Sequence, residues 1–365
     1  MHPEIPTLNP WWLYLLGFVT TIVFIVALRP VSFALGLTDK PENRKLHEGS
    51  IPLVGGIAIY LAMLVTFGVE SYFGGFGGAS GVVLVAFLIA SLLLVVTGSL
   101  DDRFGLSPGL RILIEIAAAL VMIYGAGVVL RDLGGLLPSG AIVYLGIFAV
   151  PLTVFVTVGG VNAINMSDGL DGLSGNLALV MLVGIGIANA LWGDPSHLQI
   201  LNVLSACILG FLTFNQRVFW RSKASVFLGD AGSMMLGLAL IWTVIDITQV
   251  RPRVLTPAMG LWILALPVFD TVTIMLRRLL KGHSPFMADT QHLHHLLVRS
   301  GISVSIAILI MCAVAAAGCL AGLLFRYYMV SDFIVAGAFF FTGLLYMGFV
   351  SSAWNTRRLF GREVV

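Results

Sequence analysis

Charge is what this sequence has least of. Asp, Glu, Lys and Arg make up 10% of its 365 residues, where a soluble domain carries about 25%. That excludes an ordinary water-soluble enzyme, and no nucleic-acid partner is expected. Cysteine is nearly absent too. Cys207, Cys312 and Cys319 all fall in apolar stretches, at spacings that suit neither a disulfide framework nor a zinc ribbon. The first ten residues hold Glu4 but no Lys or Arg, so the first helix is expected to be its own insertion signal. There is no tandem repeat, low-complexity linker or soluble segment, so residues 1–365 read as one integral membrane domain.

Apolar residues, at 58%, dominate instead. A membrane-spanning helix needs roughly 20 of them in a row. Eleven runs qualify or come close: 11–29, 53–73, 81–100, 112–130, 140–158, 174–192, 199–215, 233–250, 256–276, 304–326 and 332–352. They are continuous rather than alternating, which favours helices over a barrel. The expected fold is an all-α, polytopic membrane bundle of about eleven helices. Sorting Lys and Arg by the side of their loops places sixteen on one side. Arg131, Arg251, Arg253 and Arg326 fall on the other. By the positive-inside rule the crowded side is the cytoplasm, so the N-terminus lies outside and the C-terminus inside.

Four polar clusters interrupt the apolar text, and helix counting puts all four on the crowded side. Asp101 and Asp102 end the third run. Adjacent helical residues point about 100° apart, so one can face a site while the other pairs with a basic residue. Asn162, Asn165, Asp168 and Asp171 recur every three residues, a spacing that lines one face of a helical or 3₁₀ turn. Two amides and two carboxylates there suit a hard cation, a ribose or a uracil edge. Asp230 stands in Gly229-Asp230-Ala231-Gly232-Ser233, where a helix start favours phosphate. Alone it reads equally as a helix cap. His292, His294 and His295 follow; phosphate contact, loop pinning and zinc are the open readings. The oxygen-rich company favours Mg²⁺ chemistry. Asp270, inside a predicted helix, reads as support for the last large loop. Charges at one face argue for a working site. A secondary transporter, the rival class, would place them near the midplane of an inverted repeat, and no such repeat is visible.

In this order the clusters resemble the polyprenyl-phosphate N-acetylhexosamine-1-phosphate transferase family over essentially the whole chain. The text from Arg44-Lys45-Leu46-His47 to Gly55-Gly56, and Gln291-His292-Leu293-His294-His295, is similar to its WecA branch. The sister branch that builds peptidoglycan lipid I has three contiguous histidines, and here Leu293 interrupts them. The resemblance implies transfer of N-acetylglucosamine 1-phosphate from UDP-GlcNAc to undecaprenyl or another polyprenyl phosphate, releasing UMP. It implies an inner-membrane enzyme of bacteria, working on the cytoplasmic face at the first membrane step of a cell-surface polysaccharide. Other UDP-N-acetyl sugars are the rival donors, and a homo-oligomer is compatible with it. It further implies Mg²⁺, with Mn²⁺ as a substitute, on Asp230 and Asn165. Asp101 would meet the lipid phosphate, supported by Asp102. Asp168 and Asp171 would hold nucleotide or metal-bound water, and Asn162 would face the substrate. Arg278, His292, His294 and His295 would take the pyrophosphate and sugar. The nucleobase contact stays open among Lys45, His47 and Asp171.

Overall fold

The computed structural model describes residues 11–39, 49–73, 78–193, 198–218, 221–284 and 291–356, with two short strands beyond. Lys45 and His47 lie outside the described residues. The helices are α1 (Trp11–Leu35), α2 (Gly55–Tyr72), α3 (Gly78–Phe104), α4 (Pro108–Leu120), α5 (Ala149–Met166), α6 (Leu173–Trp192) and α7 (Leu198–Asn215). After them come α8 (Gly229–Gln249), α9 (Pro257–Ile263), α10 (Ala265–Leu280), α11 (Leu293–Arg299), α12 (Val304–Tyr327) and α13 (Asp332–Thr356). Among the described residues, nine helices are long and apolar enough to cross a membrane. The fold is thus an all-α polytopic bundle, with a lower count than the eleven expected.

Two runs account for the difference. The 199–215 run forms a helix too short to pass for a span by itself. The 256–276 run is not straight: α9 and α10 meet at an angle of 83°. Pro267 explains the break. It has no N–H to offer the carbonyl of Ile263, and its ring would collide with that carbonyl in a continuous helix. Leu264 accordingly leaves the helical region. The 140–158 run is also displaced, to Gly146–Met166. Residues before it are held in the loop between α4 and α5, where Asp132 bridges Tyr144 and the Val143 N–H donates to the Gly134 carbonyl.

Helix α8 is the axis, buried on nearly every side. Small residues let its first turn touch two neighbours. A Cβ at Gly56 would strike the Gly232 backbone, and one at Gly98 would strike Ala231. Helices α2 and α3 therefore approach α8 closely, as small residues permit in membranes. The strands β1 (Thr38–Asp39) and β2 (Ile51–Pro52) pair antiparallel. They dock on the loop before α8 through the Phe227 N–H and the Pro52 carbonyl, 2.9 Å. Helices α1 and α13 instead present apolar faces such as Val19, Val23, Phe340 and Leu344 outward.

Among the described residues, Arg131, Arg251 and Arg253 of the sparse set gather at the C-terminal end of α8, and Arg111 and Arg217 at its N-terminal end, about 30 Å away for its 21 residues. At the sparse end Asp132 is buried and bound by Arg253 and by Arg251, the latter at 3.1 Å. Burial alone would raise its carboxyl. The Arg253 hydrogen bond, the Gly134 N–H and the arginine charges outweigh that and leave it below the usual carboxylate range. Its contribution to stability is therefore complete above the unfolded value, about 4. It is lost as pH falls through the lower folded value. Asp132→Ala should cost about 3 kcal/mol, the low end for a buried pair because Arg251 is half exposed. The check is a lower melting temperature with turnover per folded molecule unchanged.

Candidate active site

Where α3, α4, α5 and α8 converge, an apolar bundle holds an ionic network. Arg111, on the first turns of α4, donates from Nη1 to Asp101 Oδ2 at 2.6 Å and from Nη2 to Asn165 Oδ1 at 3.1 Å. Its Nη1 also lies 3.8 Å from Asp230 Oδ2. Asn165 turns its amide N–H groups to Asp230 Oδ1, 2.8 Å, and Ser233 Oγ, 2.9 Å. The second Asp101 oxygen accepts the Leu106 N–H at 2.6 Å, folding the chain from α3 into α4. Asp102 reaches across the close α3–α8 contact to accept the Asp230 N–H at 3.0 Å. It caps the positive end of α8 from another helix.

A cleft opens beside this network in two lobes that meet at Asp168, Gly169 and His295. The first, about 350 Å³, is lined by Arg111, Asn162, Asn165, Arg278, His292 and His294. The second, about 460 Å³, is lined by Asp39, Asp102, Asp168, Asp171 and Asp230 with Arg217. One lobe suits anionic groups. The other has far more carboxylates than cations, and carboxylate oxygens outnumber the one imidazole, His295, at its edge; such hard oxygen donors suit Mg²⁺. Asp168 is exposed on the cleft. Desolvation by the protein packed behind it, with the charges of Asp230 and Asp171, raises its carboxyl above the usual carboxylate range. A divalent cation would relieve that crowding.

The predicted residues do not all point the same way. The Asn162–Asp171 spacing is not one helical stripe. Asn162 and Asn165 lie on the last turns of α5, whereas Asp168 and Asp171 lie in the connection to α6. Asn162 donates to Glu115 Oε2 at 2.5 Å and to the Val158 carbonyl at 2.9 Å. Asp171 is turned to Arg217 Nε, 2.8 Å, and the Ala224 N–H, 3.1 Å, pinning the loop before α8. Asp101 has both oxygens engaged and lines neither lobe. Asn165 has its carbonyl on Arg111. Arg278 is buried at the wall of the first lobe. His294 is buried, its two ring nitrogens find no hydrogen-bond partner among the described residues, and it packs on Gly169. Burial first, then the neighbouring His295 and His292, pulls it down to about 3, so it is neutral.

Arg111 and Glu115 were not singled out for the site from sequence. Their signal was present: two ionisable residues four apart at the start of an apolar run, a costly placement that usually marks function.

The sequence pattern of glycosyl transferase family 4 matches residues 84–248, which span α3 to α8 and most of this network. The chain is 37% identical over 346 residues to the undecaprenyl-phosphate alpha-N-acetylglucosaminyl 1-phosphate transferase of Escherichia coli strain K12, covering 94% of this chain and 92% of that one. It is 34% identical over 350 residues to the protein of that name from Yersinia pestis, covering 94% and 92%. The Haemophilus influenzae protein of that name is 35% identical over 343 residues, covering 93% and 94%. Similarity at this level across nearly the whole length extends the likeness beyond the ionic core to the histidine cluster and the last helices. The chain belongs to the polyprenyl-phosphate N-acetylhexosamine-1-phosphate transferases, within glycosyl transferase family 4.

Proposed function

We propose that this enzyme transfers N-acetylglucosamine 1-phosphate from UDP-GlcNAc to undecaprenyl phosphate at the cytoplasmic face of a bacterial inner membrane. The observation that carries the reading is the two-lobed cleft, an acidic lobe joined to a basic and histidine-rich one at the charge-dense end of the bundle. Two anionic substrates must meet there. An oxygen of the lipid phosphate attacks the β-phosphorus of UDP-GlcNAc. The bond to the bridging oxygen breaks, and UMP leaves with that oxygen. The product is a polyprenyl pyrophosphate carrying the sugar.

Mg²⁺ would be held by Asp230 and Asp168, and when bound it would screen the phosphates and stabilise the developing charge. Asn165, assigned from the resemblance as a second ligand, instead orients Asp230 through its amide. Asp102 fixes the α8 start on which Asp230 rides. Arg111 keeps the neighbouring carboxylates close together. Arg278 and His292 would meet phosphate oxygens in the first lobe. His294 is neutral and enclosed, and would shape the wall rather than bring charge. The isoprenoid tail remains in lipid, so the enzyme need not desolvate it.

Incubating the purified protein with UDP-GlcNAc, undecaprenyl phosphate and Mg²⁺ tests the reading. Release of UMP that requires the lipid supports it; release of UDP, or none, refutes it. The orientation has its own test. Ser107 and Ser222 are exposed at the site end and Ser139 at the other. In intact cells, Ser139→Cys should label with an impermeant maleimide, while Ser107→Cys and Ser222→Cys should not. The reverse pattern would invert the topology. Ser174, in the same polar region, is buried and unsuitable.

A further inference from the structure

Asp270 is buried on α10, just past the sharp bend, and receives three hydrogen bonds. Its Oδ2 meets His292 Nδ1 at 2.7 Å. Its Oδ1 accepts the Leu293 N–H at 3.0 Å and the Tyr346 hydroxyl at 2.8 Å. A carboxylate so surrounded is an acceptor only. His292 must then carry a proton on Nδ1, and Nε2 is the ring nitrogen left for the cavity that His292 lines. The ring plane is fixed as well: His292 stacks on His294 at 5.6 Å with only 7° between planes. Helix α13 grips the same segment a second time, where the Trp354 indole donates to the Gln291 carbonyl at 2.8 Å.

We propose that Tyr346 and Asp270 are positioning residues that hold His292 with Nδ1–H turned away from the cavity and Nε2 turned toward a phosphate oxygen of the substrates. The role rests on the transferase reading above. Asp270 neutralises the charged form of the ring, in which Nε2–H donates to an anionic oxygen. Tyr346 stops the carboxylate from rotating away. The last helix thereby sets the donor geometry of a residue in the first lobe without touching substrate.

The test begins with ¹⁵N-histidine spectra of the full-length protein in lipid nanodiscs. The chain has seven histidines, and His292→Asn identifies the signal. The wild type should show Nδ1 protonated at His292, and Asp270→Asn should shift or split that signal. With UDP-GlcNAc as the donor, Asp270→Asn should lower kcat/KM about 10- to 100-fold, the loss of a charge-assisted hydrogen bond. Tyr346→Phe, which keeps the ring packing, should lower it about three- to tenfold with an unchanged melting temperature. If Asp270→Asn does not fold, the wild-type spectrum and Tyr346→Phe still decide. An unprotonated Nδ1 in the wild type, or full kcat/KM in Tyr346→Phe, overturns the proposal. Protonated Nδ1 in a wild-type protein that transfers nothing would overturn the transferase reading and this role with it.

Discussion

Asp230→Asn should cut turnover about a thousandfold while the protein still folds. The substitution is isosteric and can keep a hydrogen-bonding partner in Asn165, 2.8 Å away. What it removes is one negative charge facing the lobe proposed to hold a divalent cation. Losing an electrostatic contact of that kind costs about 10²–10³ in rate. Metal-dependent binding of UDP-GlcNAc, followed by calorimetry, should weaken in parallel. Normal turnover at limiting Mg²⁺ would remove Asp230 from the metal site.

The second large effect belongs to Asp101 and Arg111 as a pair. Asp101 was expected to meet the lipid phosphate, yet its oxygens are taken by Leu106 and Arg111. Its effect should therefore pass through Arg111. Asp101→Asn and Arg111→Ala should each lower kcat about 10²–10³-fold, and the double variant should be no worse than the more severe single one. Independent losses that multiply would show that Asp101 acts on the substrate directly. Donor binding with Mg²⁺ should survive Asp101→Asn, because the acidic lobe keeps Asp168 and Asp230. Calorimetry beside a thermal melt separates this from simple instability.

Particular residues show how far the sequence could be read. The polar clusters were legible because charge is rare in an apolar chain. The Asn162–Asp171 spacing misled. A period of three looks helical whether or not the helix continues, and here α5 ends at Met166. Gly172, at φ 86°, takes the left-handed turn into α6. The bend at Leu264 had a visible cause in Pro267, but the long apolar run around it concealed the break. Tyr346 had no signal at all. An aromatic residue on an apolar helix looks like any lipid-facing one, and its partner Asp270 is 76 positions away. Partners such as Glu115 for Asn162 and Arg217 for Asp171 are equally products of packing. They decide which polar side chains stay free for substrate.

The central claim is phosphosugar transfer, in which the β-phosphate travels with the sugar. The most direct measurement uses UDP-GlcNAc labelled with ³²P in the β-phosphate, supplied with undecaprenyl phosphate and Mg²⁺. The label should enter the lipid fraction, and the released nucleotide should be unlabelled UMP. Label left in UDP while the sugar moves to lipid would mean attack at the sugar carbon, and would contradict the account.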